Sequence, residues 1–188
     1  MYRLLFLICF VSSPVFAHSG HLDASSGFSA GFLHPFLGLD HLFAMLCVGI
    51  TSSRLGGRAI WAVPGLFIGV MTIGFILGKQ GIPFAYFESL IGLSLVFFGI
   101  LLVPTMKLRI GYIVWPIMVF AIAHGYAHGS EIGVLHNPWD FQQGFLLASV
   151  IIHICGVMLG FIPTSNPYVQ RGVKAGFVAI AVYGIFLI

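Results

Sequence analysis

Six apolar stretches, at about 30–52, 59–78, 83–103, 110–129, 141–162 and 171–188, take up most of the chain. Each is near the ~20 residues that an α-helix needs to cross a bilayer. Short polar breaks part them and leave no room for a soluble domain. Only 7% of the 188 residues are charged, against about a quarter in a water-facing globular domain, so that class is excluded. In hydrocarbon the backbone satisfies its polar groups only within a helix or a closed barrel, and runs of this length call for helices. The expected fold class is therefore an all-α integral membrane protein with six transmembrane helices. Its few basic residues are scattered, which argues against a nucleic-acid partner and for the lipid bilayer as the surroundings.

Residues 1–17 read as a cleaved signal peptide, with Arg3 as the charged start, Leu4 to Val11 as the apolar run and Val15-Phe16-Ala17 as the small-residue end. The mature domain is then 18–188. Cleavage leaves His18 and His21 at an exported end, where two imidazoles and an α-amine either gather a metal ion or form an incidental polar lead-in. With that end outside, Arg54, Arg58, Lys107, Arg109, Arg171 and Lys174 fall in inner loops and only Lys79 in an outer one, a strong positive-inside bias. The implied location is a cell inner membrane, crossed several times, with both mature termini on the outer or periplasmic side. Glycines four apart, at Gly65/Gly69, Gly74/Gly78, Gly125/Gly129, Gly156/Gly160 and Gly172/Gly176, predict close helix–helix approach.

Ionisable groups inside such segments are costly to bury and mark function by default. Pro35 as the first helical residue starts the first helix just after His34. On that helix His34 and His41 lie about two turns and roughly 10 Å apart on one face, and Asp40 either joins His41 at a metal or orients its ring. In the fourth segment His124 and His128 are i,i+4 neighbours, and Glu131 extends their stripe if the helix runs that far. Glu88 in the third segment falls in the same outer half. His153 in the fifth lies near the midplane, where Cys47 and Cys155, with Met45, offer a softer second station or ordinary packing. Imidazole suits nickel, zinc, copper and iron, and carboxylates complete the shell or hold the ligand histidines from behind.

The stretch His34-Pro35-Phe36-Leu37-Gly38-Leu39-Asp40-His41-Leu42-Phe43-Ala44-Met45-Leu46-Cys47-Val48-Gly49 resembles the signature of the HupE/UreJ family, small membrane proteins associated with nickel supply to hydrogenase and urease. His124-Gly125-Tyr126-Ala127-His128-Gly129-Ser130-Glu131 resembles the family's second motif, and the segment around His153-Ile154-Cys155-Gly156 its fifth-span pattern. The resemblance implies a secondary nickel permease, with His34, Asp40, His41, His124, His128 and Glu131 as the positions that handle the metal.

On this reading Ni2+ is the transported substrate, no permanent cofactor is needed, and cobalt, copper and zinc are not separated from nickel by donor type. Downstream metalloenzyme maturation proteins are the expected partners, and self-association is left open. No Gly-x-x-x-x-Gly-Lys-Ser/Thr loop occurs, so ATP hydrolysis in this chain is not expected. Half-chains 30–103 and 110–188 hold three segments each, an odd number that inverts one half and suggests a 3+3 inverted repeat with the site between. The alternative from another class is an intramembrane zinc-dependent hydrolase, with Glu131 or Asp40 activating water.

Overall fold

The computed structural model describes residues 27–103, 109–132, 137–163 and 165–188. Those residues form seven helices: α1 (Gly27–Leu37), α2 (Leu39–Leu55), α3 (Ala59–Lys79), α4 (Phe87–Leu101), α5 (Ile110–Glu131), α6 (Pro138–Gly160) and α7 (Pro167–Phe186). The signal-peptide reading of residues 1–17 lies outside the described residues, as does Lys107.

Every expected segment holds a helix, but they are not six equivalent spans. Helices α3, α5, α6 and α7 are long and apolar enough to cross a membrane, and α1 with α2 makes a fifth only as a pair bent by 79°. Helix α4 has 15 residues, or about 22 Å at the helical rise, short of the ~30 Å of a hydrocarbon core. Its start is delayed because Tyr86 takes a left-handed backbone with φ 63°. The outward-facing side chains are large and apolar, among them Trp61, Ile73, Trp115, Leu147 and Ile151. Such a surface needs lipid around it, and the chain is a multi-pass membrane protein.

The first segment departs from expectation in a way that shapes the site. Pro35 does not open a helix but lies inside α1, which begins at Gly27. The reason is docking: a Cβ on Gly31 would run into the backbone of Phe141, and one on Gly144 into the backbone carbonyl of Phe28. This close approach holds residues upstream of His34 helical against α6. Helix α1 then stops two residues after Pro35, and Gly38 takes an extended backbone with φ −91° and ψ 107°. Its carbonyl accepts from Leu42 N at 2.9 Å and opens α2 in the new direction. The expected single stripe carrying both His34 and His41 is therefore replaced by two helices.

Small residues seat the remaining pairs. Gly74 and Gly78 press on the carbonyls of Ile122 and Tyr126, while Gly125 and Gly129 press back on Met71 and Phe75, so α3 and α5 lie backbone to backbone. Gly49 and Gly156 do the same for α2 and α6, and Gly92, Gly99 and Gly184 for α4 and α7. Gly65/Gly69 and Gly172/Gly176 have no atom within 4 Å of where a Cβ would stand, so for them the four-residue spacing marks an open face. Between the helices sits a core of fully buried Met45, Phe67, Met71, Leu95, Phe98, Ile117, Phe145 and Ile152.

Basic residues tie down the two ends. At one, the Lys79 ammonium stands 3.9 Å from the centre of the Trp139 ring, joining the last turn of α3 to the first of α6. Towards the other, Arg54 donates to the Leu102 carbonyl at 2.7 Å and stacks over Phe177, joining α2, α4 and α7.

Candidate metal centre

Four imidazoles from three helices meet near the Lys79 end of the bundle. His128, fully buried on α5, is the hub: its ring centre lies 4.7 Å from that of His34 on α1 and 4.4 Å from that of His41 on α2. His124, one turn earlier on α5, stands 4.9 Å from His41. The break at Gly38 makes this possible. A straight helix would leave His34 and His41 about 10 Å apart, whereas the bent pair brings both rings to one neighbour.

Helix α5 runs to Glu131, so the His124/His128/Glu131 stripe is continuous. Glu131 Oε2 lies 3.9 Å from His34 Nε2, and one donor atom each of His34, His128 and Glu131 falls within 4.8 Å of the others. His34 and Glu131 are partly open to the outside, with side-chain exposures of 38% and 63%, whereas His128 and His124 are sealed. The cluster thus has a mouth and a floor.

Hydrogen bonds decide which nitrogens remain available. His41 Nδ1 sits 2.9 Å from Asp40 Oδ1 and His124 Nδ1 sits 2.8 Å from the Phe120 carbonyl. Oxygen acceptors of this kind require the hydrogen on Nδ1, which leaves the lone pair on Nε2. Of the two roles open to Asp40, the geometry shows it beside the ring. The Nε2 atoms of His41 and His124 and both ring nitrogens of His128 are buried with no hydrogen-bond partner. Leaving a buried polar atom unpaired costs about 1–3 kcal/mol. Several such atoms in one place, with Asp40 and Glu131 adjacent, are donor types that suit a divalent transition-metal cation.

The remaining candidates lie outside the four-histidine cluster. Glu88 is exposed in the first turn of α4, near enough to Glu131 for the two carboxylates to interact electrostatically. Cys47 is buried in the core and Cys155 is exposed, both as free thiols, so they do not share one surface. His153 is buried on α6 with Nδ1 2.6 Å from the Ser149 carbonyl, and its nearest ring neighbour is Phe67 rather than a histidine. His18 and His21 lie outside the described residues.

Sequence reasoning missed the aromatic wall. Phe145 lies 4.2 Å from the ring centre of His128, Phe141 lies 5.4 Å from that of His34, and Phe67 lies 5.8 Å from that of His124. The i,i+4 spacing of Phe141 and Phe145 put both on one α6 face and was the available signal.

Comparison with known proteins gives the family. The model of the family described as HupE / UreJ protein matches residues 5–187. The chain is similar to Protein HupE of Rhizobium leguminosarum bv. viciae, with 36% identity over 169 residues that cover 89% of this chain and 88% of that one. No solved structure matches it. An all-helical membrane bundle with a buried histidine cluster, matched from end to end by one family, places the chain in the HupE/UreJ family.

Proposed function

We propose that the protein is a secondary transporter of a divalent transition metal, with Ni2+ as its substrate, serving maturation of hydrogenase or urease. The observation that carries this reading is His128: both of its ring nitrogens are buried without a partner at the point where His34, His41 and Glu131 converge. A polar group of that kind, deep in an apolar bundle, is stable chiefly when a cation visits it. Membership in a family associated with nickel and cobalt uptake supports the same conclusion. No permanent cofactor enters the reading; the ion is cargo.

The route begins at the half-exposed His34–Glu131 pair, where a hydrated cation meets its first protein donors while keeping some of its water. His128 Nε2 or Nδ1 then replaces further water. Deeper in, His41 and His124 each present Nε2 with Nδ1 held by Asp40 or the Phe120 carbonyl. The Asp40 carboxylate offsets part of the cation's charge there, where hydrocarbon offers none. Neutral donors and few carboxylates keep ligation reversible, which transport requires.

For topology, residues 1–17 are a cleaved signal and the mouth faces the outer side of a cell inner membrane, with both mature termini outside. The basic ends at Arg54, Arg58, Arg109, Arg171 and Lys174 then face inward. Six crossings follow if the short α4 spans a locally thinned bilayer, and a 3+3 inverted relation of the halves follows from that count. His18 and His21 raise the local ion concentration at the exported end. Maturation proteins for the metalloenzyme receive the ion inside, and a homo-oligomer is compatible with the open face of α7. The intramembrane hydrolase alternative is not favoured by the family.

Uptake of radioactive nickel in cells lacking their own nickel permease tests this. Wild-type protein should admit the metal at low external concentration, His41→Ala and His128→Ala should not, and competition by cobalt, copper and zinc ranks the ions. Wild-type uptake no better than that of cells without the protein, from protein shown to be in the membrane, would refute the proposal.

A further inference from the structure

His153 belongs to none of the groups just described, and its surroundings are unlike theirs. It is 1% exposed on α6. Its Nδ1 faces the Ser149 carbonyl at 2.6 Å, which places the hydrogen on Nδ1 and the lone pair on Nε2. That Nε2 is buried with no hydrogen-bond partner. A structural histidine needs no second orphaned nitrogen at such a depth, because an aliphatic side chain would fill the space without the desolvation cost.

The position is also telling. His153 lies eight residues beyond Phe145, or about 12 Å further along α6 at the helical rise, and Phe145 is the wall of the His128 site. Phe67 touches both levels. This fully buried ring is 5.8 Å from the His124 centroid and 5.3 Å from the His153 centroid. One phenyl ring therefore packs against two imidazoles, each with its lone pair available on Nε2.

We infer that His153 is a second, single-donor station for the cation, set inward of the four-histidine cluster, with the ring of Phe67 packed against both. This rests on the transport reading above and adds the next step of the route. The chemistry of the two stations differs. The outer cluster holds several imidazoles and two carboxylates, whereas no group of three possible metal donors includes His153 among the described residues. A lone imidazole holds a cation briefly and sets no deep well on the way in.

His153 also borders a groove of about 210 Å³ between α3 and α6, lined in addition by Trp61, Gly65, Ile68, Val150 and Val157. A Cβ on Gly65 or Gly69 would touch nothing within 4 Å, so the α3 face at this level is open.

The test separates binding from passage. Nickel uptake is measured against external concentration in cells, and nickel bound at equilibrium is measured on detergent-purified protein, for wild type, His153→Leu and His153→Gln. We expect His153→Leu to lower the maximal uptake rate tenfold or more while leaving the half-saturating concentration and the bound nickel unchanged. His153→Gln keeps an oxygen donor at that depth and should recover part of the rate, which a packing role would not predict. Should the leucine variant not accumulate in the membrane, the glutamine variant carries the same comparison. Leucine at 153 with the wild-type rate, or with bound nickel lost in step with the rate, overturns the second station while the transport reading stands. Wild-type protein that neither binds nor admits nickel overturns both.

Discussion

The carboxylate of Asp40 and the imidazole of His41 are neighbours in sequence, and their Oδ1 and Nδ1 atoms stand 2.9 Å apart at the first turn of α2. The pair forms only because α2 starts afresh after Gly38, so that Asp40 turns its side chain back onto the next residue. With Nδ1–H committed to the carboxylate, Nε2 is a fixed lone pair that points among buried groups. Asp40→Asn keeps the volume but removes the charge, and its amide can equally present a hydrogen to Nδ1 and reverse the tautomer. Loss of a carboxylate behind a ligating histidine typically costs 10- to 100-fold in metal affinity. Equilibrium dialysis with nickel should show that loss in Asp40→Asn at unchanged protein stability.

His128 separates folding from function. Its two unpartnered nitrogens are buried beside Phe145 and the rings of His34 and His41, and replacing a buried unsatisfied group by an apolar one of similar size is near neutral or stabilising. His128→Leu should therefore unfold in detergent no earlier than the metal-free wild type. Nickel at about 100 times its dissociation constant should stabilise the wild type by about 2.7 kcal/mol through mass action. The same nickel should leave His128→Leu where it was, and a thermal scan with and without the metal reads both effects.

The glycines divide into two classes that mutation should tell apart. A Cβ on Gly125 would strike the carbonyl of Met71, and α3 and α5 would have to separate. Forcing an extra methyl into such an interface costs about 1–3 kcal/mol, and because His124 and His128 flank Gly125 on the same helix, nickel binding should weaken as well. Gly65→Ala and Gly172→Ala meet open space and should match the wild type in membrane accumulation, thermal midpoint and uptake. Equal damage from all three would mean that α3 and α5 do not pack as described.

How much of this was legible in the sequence depends on the range of the cause. The His124, His128 and Glu131 stripe was readable because i, i+4 and i+7 are local geometry, and α5 runs far enough to keep it. The clamp at Gly74, Gly78, Gly125 and Gly129 was readable for the same reason, although an identical spacing at Gly65/Gly69 turned out to face outward. Spacing says that a backbone can be approached, not that anything approaches it. Proline at the start of an apolar run fits a first helical residue as well as a last turn, and what decided for Pro35 was the docking of Gly31 on Phe141 about a hundred residues away. Nor could composition single out Phe67, Phe141 and Phe145 among nineteen phenylalanines, since their role as walls comes from which histidine each ring faces.

The bend and the site are coupled at Gly38, and this coupling can be measured. Its backbone, φ −91° and ψ 107°, is open to any residue, so alanine there carries no backbone strain. The new Cβ would instead stand 3.0 Å from Asp40 Oδ1 and 3.3 Å from His41 Nδ1, close enough that the pair must give by a few tenths of an ångström. Gly38→Ala should thus retain the fold and weaken nickel binding by less than Asp40→Asn does, because the hydrogen bond is stretched rather than lost. Since alanine acts through the carboxylate, its effect should largely vanish in the Asp40→Asn background. Dissociation constants for the two single variants and the double variant close a cycle, and residues in direct contact give interaction terms of about 0.5–3 kcal/mol. Strict additivity would show that Gly38 influences the site through the angle between α1 and α2 and the placement of His34, not through the Asp40–His41 pair.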